Sequence, residues 1–462
     1  MLHLLALLLP SEPEVTAFVD VRVIPMDRER VLEHQTVLVR GDRIARVGPA
    51  AEVAVPEGAR RIDGAGRTLV PGLTDMHAHF LCDFGFQPDA RVDDEMFLML
   101  GNGVTTARLM IGRPEHLQWR REIDGGARLG PRLFVASPQF SGRRYGDPHF
   151  NGVEVKTPEA AAAAVRQCKK DGYDCIKLTF FISRPVYDAV VATAREEGIR
   201  VVGHVGHDVG LPRALEAGQQ VEHLDEFLEM LLPEPAGGRT SVSGMSVWDP
   251  RSWPSVDHLD ASRIPAVAEQ VVQAGIWNTP TLFYLDTFGV RRSREEIQSW
   301  PWYRFFTPDY VQKFEDARLR FLEVQPSDER AARFVALRRA FVKALWEHGG
   351  KLMAGSDAPE LFCLYGFTLH REIQTFVEAG LTPYAALETA TRNPAEWLGI
   401  AGDAGTIAEG RRADLVLAEG NPLDDLRRLE RPVGVRLRGR WIPRDAIETR
   451  FDAIAAAFQA GS

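Results

Sequence analysis

Residues 70–80 read VPGLTDMHAHF. The stretch is an apolar run carrying a Pro-Gly turn signal that closes on His77, Ala78 and His79, with Asp75 just before them. Alternate residues on a strand face the same side, so the two imidazoles can reach one ion from a single strand end. Neutral imidazole is a common ligand for zinc, nickel or iron near neutral pH. Two satisfied polar histidines are the alternative, and the strand context argues for the metal.

Other metal-capable side chains follow in order, each closing its own apolar run: Lys177 in YDCIKL, His204 in VVGHVG, His223 in VEHLDE and Asp357 in MAGSDAP. Segments of helix-favouring composition precede these runs, among them RPVYDAVVATAREEG and ERAARFVALRRAFVKALWEHGG. Strands alternating with helices imply βαβ units and a parallel sheet. Functional residues gathered at carboxyl ends of strands imply an α/β fold of the (β/α)8 TIM-barrel type, and the separation of about 280 residues between His77 and Asp357 suits one barrel.

The ends of the chain form a second unit. Short alternating runs lie between about Val15 and Arg67, and the pattern returns in ADLVLAEG and VGVRLRGRWI. The last stretch, RDAIETRFDAIAAAFQ, reads as a closing amphipathic helix.

Taken together, GVTTARLM, the Gly130–Arg132 turn, GYDCIKL, EAGQQVEHL, NTPTL, AGSDAP, GLTPYAALETATRNPAEWLGI and GTIAEGRRADLVLAEGNPL make a chain that resembles the amidohydrolase superfamily over nearly its whole length. The branch it resembles is that of imidazolonepropionase-like and prolidase-like metallohydrolases. The resemblance implies a β-sandwich split between residues 13–68 and 403–462, flanking a metal-dependent barrel over 69–402. It implies two divalent metal ions, expected to be zinc: His77, His79 and Asp357 on the more buried one, His204 and His223 on the other, and Lys177 bridging as a carbamate. An ammonium has no lone pair to offer a metal, so Lys177 is otherwise a snorkelling lysine. Paired ions would make hydroxide available and polarise a carbonyl, with Asp357 as general base and then acid.

The implied reaction is hydrolysis of an amide, in a dipeptide or an N-acyl amino acid. Esters, lactones and phosphotriesters remain open for the same site, as does a non-catalytic binding protein that keeps the fold. Related one-metal deaminases place a Glu three residues after the histidine of the fifth strand, where this chain has His207. That argues against deamination and against faithful imidazolonepropionase chemistry.

Substrate contacts are less sharply indicated. The loop SPQFSGRRYGDPHFNG offers Tyr145 and His149, the NTPTLFYLDTFG stretch offers Tyr284, and His207 is a further candidate donor; for each, packing or an exposed loop position is the alternative. Aromatics here and in SWPWYRFFTPDY suggest a wall for an apolar or aromatic acyl group. The net charge of −9 gives no basic footprint for nucleic acid. No internal run is long enough to span a bilayer. Cys82, Cys168, Cys175 and Cys363 form no CxxC pair and read as buried thiols. The start, MLHLLALLLPSEP, resembles an export-signal core but lacks a preceding Lys or Arg, so cytoplasmic and exported locations both stay open, as does homo-oligomerisation.

Overall fold

The computed structural model describes residues 15–143, 152–224, 226–233, 253–289, 292–324 and 327–460. The signal-like start and the candidates Tyr145 and His149 lie outside them. In chain order the strands are β1 (Val15–Val23), β2 (Leu32–Arg40), β3 (Arg43–Pro49), β4 (Arg60–Asp63), β5 (Arg67–Pro71), β6 (Leu73–Ala78), β7 (Val104–Leu109), β8 (Arg132–Val135) and β9 (Gln139–Ser141). They continue as β10 (Gly152–Glu154), β11 (Cys175–Leu178), β12 (Arg200–Gly203), β13 (Gln220–Glu222), β14 (Trp277–Thr279), β15 (Lys351–Leu352), β16 (Leu415–Glu419), β17 (Gly434–Leu437) and β18 (Arg440–Pro443).

The fold is mixed α/β with parallel sheets at its centre. Seven strands pair in the order β10-β9-β11-β12-β13-β14-β15 and three in the order β6-β7-β8, and every pairing within these two sheets is parallel. Two single parallel bridges connect them. Ala136 pairs with Cys175 beyond β8, and Ala78 at the end of β6 pairs with Ala358. β6, β7 and β11 are buried along their whole length, as strands covered on both faces must be.

The helices between strands begin and end where their sequence dictates. In the segment Pro158–Asp171, Thr157 caps the amino end by accepting from Ala160 N, Pro158 fills the first turn, and Gly172 closes the other end at φ 91°. Its inward face carries Ala161, Val165 and Cys168, spaced to lie on one stripe.

Both ends of the chain build one eight-stranded sheet in the order β18-β17-β16-β5-β1-β2-β3, with β4 beside β1. β16 runs antiparallel along β5 from Leu415 opposite Pro71 to Glu419 opposite Arg67. Its core joins Phe18, Val37 and Leu69 to Leu415, Leu417 and Trp441, and the rings of Phe18 and Trp441 meet edge to face at 5.4 Å. Buried Arg436 donates to Thr16 Oγ1 at 2.9 Å and to the Gly41 carbonyl at 3.0 Å, tying the late strands to the early ones. The closing helix spans Arg444–Gln459 and buries Ile447, Phe451, Ile454 and Phe458, as its pattern predicts.

Beyond β14 the chain turns at Thr281 into the helix Leu282–Gly289. The first turn of a helix leaves N–H groups without intrahelical partners. Here the buried carboxylate of Glu372 accepts from Leu282 N at 2.8 Å and Phe283 N at 2.7 Å, capping that turn from a distant helix. Burial pushes the Glu372 carboxyl up to about 8, and these two donors pull against that. Replacing Glu372 by Ala leaves two buried N–H groups unpaired and opens a void. Chemical denaturation should show a loss on the order of 3 kcal/mol, whereas a loss below about 0.5 kcal/mol would show that water caps the turn equally well.

Candidate metal centre

β6 delivers His77 and the residue beyond its end delivers His79, both buried. The loop after β15 delivers Asp357 in the left-handed region at φ 52°, and its backbone N donates to the His77 carbonyl at 2.8 Å. Ligand-type atoms of these three residues all lie within 4.8 Å of one another. Asp357 Oδ1 sits 3.2 Å from His77 Nε2 and 3.2 Å from His79 Nε2. Gly355 permits this closeness, since a Cβ there would stand 2.7 Å from His77 Cβ.

Three further residues converge on this trio. His223, just past β13 at φ 63°, places Nδ1 3.6 Å from Asp357 Oδ2 and its ring 4.7 Å from that of His77. His204, following β12, stacks on His223 with centroids 4.7 Å apart. Lys177 on β11 is 2% exposed, and its charge acts on His77, His204, His223 and Asp357. Gly203 lies beside its stem, where a Cβ would meet Lys177 Cδ at 2.8 Å.

Residues that carry no obvious motif hold His77, His223 and the Asp357 loop in place. Glu222, at the end of β13, takes His77 Nδ1 at 2.9 Å on one oxygen and Arg108 at 2.6 Å on the other. Arg108 is fully buried on β7 and also donates to the Met76 carbonyl at 2.6 Å. Asp75 accepts from His77 N, Ser356 N and Ser356 Oγ at 3.1, 3.0 and 2.6 Å, which makes it a bracket between strand ends. Burial pushes its carboxyl up to about 6. Thr281 Oγ1 meets His223 Nδ1 at 2.8 Å, and buried Arg338 donates to the His223 and Pro280 carbonyls at 2.6 and 2.9 Å. Sequence reading passed over Glu222, Arg108 and Arg338. The available signal was a lone charge inside the apolar run of β7 and a Glu directly before a ligand histidine.

The donor set suits a cation. Since the Glu222 carboxylate accepts, His77 Nδ1 carries the proton and its Nε2 turns a lone pair toward Asp357 Oδ1, a tautomer assigned from these partners. Two lone pairs facing at 3.2 Å repel unless positive charge lies between them. His79 Nδ1 is buried without a hydrogen-bond partner among the described residues. Burial holds His77 and His204 well below the usual imidazole range and His223 down to about 3, so all three keep lone pairs for a metal. For Asp357 burial acts upward, but His223, His79 and Lys177 outweigh it and keep the carboxylate ionised.

The substrate candidates divide. Tyr284 stands with its ring 6.4 Å from that of His223 and donates to Glu360 Oε2 at 2.8 Å. His207 is separated from the ligands by Phe180, whose ring stacks on His204 at 3.7 Å and on His207 at 5.8 Å. Its Nδ1 lies 3.2 Å from buried Glu226. His207 and Phe180 line a cavity of about 450 Å³ together with Arg143, Val155, Lys156 and Ile182. The aromatics of SWPWYRFFTPDY pack on one another where a pocket wall was expected. Phe306 and Tyr310 stack at 4.4 Å, and the Tyr310 hydroxyl donates to the Pro359 carbonyl at 2.5 Å while accepting from Phe362 N at 2.9 Å. They brace the loop that carries Asp357. Tyr365 and His370 are also structural, bonded to Glu95 and to the Asn102 carbonyl. The four cysteines are buried and free, and no helix of the described residues is long and apolar enough to cross a membrane.

Comparison with known proteins bears on this geometry. The sequence profile described as the Amidohydrolase family matches residues 68–442. An imidazolonepropionase of Micrococcus luteus is 38% identical over 80 residues, which covers 17% of this chain and 20% of that enzyme. The chain thus aligns with about a fifth of that curated relative's length. The solved structure of bottromycin amidohydrolase is 25% identical and superposes with a TM-score of 0.73, covering 97% of this chain and 91% of the other. A structure described as a putative prolidase from Bifidobacterium longum is 24% identical with a TM-score of 0.69, covering 96% and 99%.

The three neutral imidazoles set a pH dependence for the metal-free protein. In the unfolded chain each histidine protonates near pH 6.5, but in the fold these three resist protonation. The unfolded state therefore binds more protons as pH falls. Stability is retained above about pH 6.5 and declines below it by up to about 1.4 kcal/mol per pH unit for each imidazole. Denaturation of metal-free protein between pH 7 and 5 should show this slope, and His204→Gln should reduce it by about one proton. An unchanged slope would mean that His204 is protonated in the folded protein.

Proposed function

The chain belongs to the amidohydrolase family, and from that premise we propose that it hydrolyses a carbon–nitrogen bond, the amide of a dipeptide or an N-acyl amino acid with an apolar or aromatic acyl part. The convergence of His77, His79 and Asp357 with His223 and His204 carries the proposal. On this reading the two parallel sheets form one (β/α)8 barrel over residues 69–402, and the composite sheet is a β-sandwich drawn from 13–68 and 403–462. The bridges Ala78–Ala358 and Ala136–Cys175 support the barrel.

His77, His79 and Asp357 would hold one divalent ion, and His204 and His223 a second, both zinc by choice of donors. Lys177, buried among these imidazoles, would add its neutral amine to carbon dioxide, lose a proton and serve both ions as a carbamate anion. Bound there, the ions supply Lewis acidity, lowering the pKa of water and polarising a carbonyl oxygen.

The remaining work falls to the side chains. Asp357, ionised at neutral pH, accepts a proton from the attacking water and returns it to the leaving nitrogen. Glu222 fixes the tautomer and orientation of His77, and Arg108 holds Glu222. The cavity beside Phe180 is lined by Phe181 and Ile182 together with Arg143, Lys156 and Asp208, a mixed set that would take the charged end of an amino-acid portion.

Elemental analysis of protein prepared with bicarbonate and zinc tests this. About two ions per chain are expected, falling to one or fewer in Lys177→Ala. The wild type should hydrolyse members of a panel of dipeptides and N-acyl amino acids. One ion per chain in both proteins would remove the bridging lysine, and cleavage of activated esters without any amide would remove the assignment of bond type.

A further inference from the structure

Glu360 lies three residues beyond Asp357 and has no part in the hydrolytic reading. Its side chain is half-buried. One carboxylate oxygen accepts from the Tyr284 hydroxyl at 2.8 Å, and its backbone N meets the Asp357 carbonyl at 3.3 Å. Other interior carboxylates either face a cation, as Glu222 does Arg108, Asp286 does Arg339, and Asp83 does Arg113 and His116, or accept from two or more protein donors, as Asp75, Glu95 and Glu372 do. Among the described residues no Arg, Lys or His stands within ion-pair distance of Glu360.

Tyr284 fixes where this carboxylate sits. The tyrosine rides on the helix whose first turn Glu372 caps, and its ring borders His223. The Tyr284–Glu360 pair therefore lies at the edge of the imidazole cluster, touching the elements that carry two of its members. A carboxylate that takes one protein donor and no cation keeps most of its acceptor capacity, and here that capacity borders the imidazole cluster. A primary ammonium brings a full positive charge and three donors, and its hydrogen bond to a carboxylate is charge-assisted.

We propose that Glu360, held by Tyr284, accepts the protonated amino group next to the scissile carbonyl, so that the favoured substrates are dipeptides or aminoacyl amides with a free amine rather than N-acyl amino acids. The inference rests on the reading of the site as a carbon–nitrogen hydrolase and narrows it. An N-acyl group brings no charge to this carboxylate and forgoes the charge-assisted hydrogen bond, and that loss provides the discrimination.

Equilibrium binding to zinc-loaded protein separates this inference from the reaction itself. Leucinol carries the ammonium and 4-methylpentan-1-ol is its deamino counterpart, and neither has a bond to cleave. Wild-type protein should favour leucinol by at least about tenfold. Glu360→Gln should bring that ratio to within about twofold of unity with the zinc content per chain unchanged, and Tyr284→Phe should lower it part of the way. A thermal midpoint for each variant confirms that it is folded. Absence of discrimination in the wild type, its survival in Glu360→Gln, or loss of zinc in that variant would overturn the proposal, the last because Glu360 would then be a ligand. If the binding ratio behaves as expected and no amide is hydrolysed, the assigned reaction fails while the ammonium subsite stands.

Discussion

The contact between the end of β6 and the loop after β15 is the constraint on which the centre depends. Asp75 draws His77 N, Ser356 N and the Ser356 hydroxyl onto one carboxylate, while Asp357 N returns a hydrogen bond to the His77 carbonyl. Three of these four hydrogen bonds join segments far apart in sequence, and they bring a histidine pair and an acid to one point. Asp357 holds a left-handed backbone that a non-glycine residue adopts only at a cost, so the surrounding bonds must over-determine it. Protein hydrogen bonds thus hold the backbone of the candidate site.

Electrostatics then explain why the neighbours are what they are. Burial, and after it the charge of Lys177, holds the rings of His77 and His204 neutral. Neutral rings need orientation, because each has one nitrogen to donate and one to offer. Glu222 provides it for His77 and Thr281 is placed to provide it for His223. Glu222 in turn is kept buried by Arg108, which lies on the next strand and has no contact with the ligand atoms. The chain Arg108–Glu222–His77 spans the interior of the parallel sheets, so the packing of the core and the aim of the ligand are one problem.

How much of this the sequence disclosed follows from the range of each interaction. The histidine pair was legible because period two on a strand is a local property, and the order of strand-end residues was legible because each short apolar run ends on a polar residue. The parallel α/β architecture and the union of the two chain ends followed from the same patterns. Glu222, Arg108, Glu372 and Glu360 were not legible as functional, because their partners lie on other elements and each looks locally like an ordinary strand or loop charge. The aromatic run from Ser299 to Tyr310 misled for a related reason. Composition shows that rings will be buried, and only packing decides whether they enclose space or fill it; Tyr310 fills it, bonded to the loop at Pro359 and Phe362.

The candidate ligand residues at strand ends and the candidate substrate residues on the loops beyond them are held by different forces. The first are locked by sheet hydrogen bonds and by buried partners, so substitution there disturbs the core; the second touch few elements and can vary while the fold stands. Solved structures superpose on nearly the whole of this chain at about a quarter identity, while the 38% identity to the Micrococcus luteus imidazolonepropionase covers 80 residues. Asp357 and Glu360 are one turn of chain apart and fall on opposite sides of that division. Asp357 answers to β6, and Glu360 answers to Tyr284, whose helix is positioned by Glu372. Within a single loop, then, the residue suited to hold a metal is fixed by the central sheets and the residue suited to select a substrate is fixed by the helical layer, so the second can change without the first.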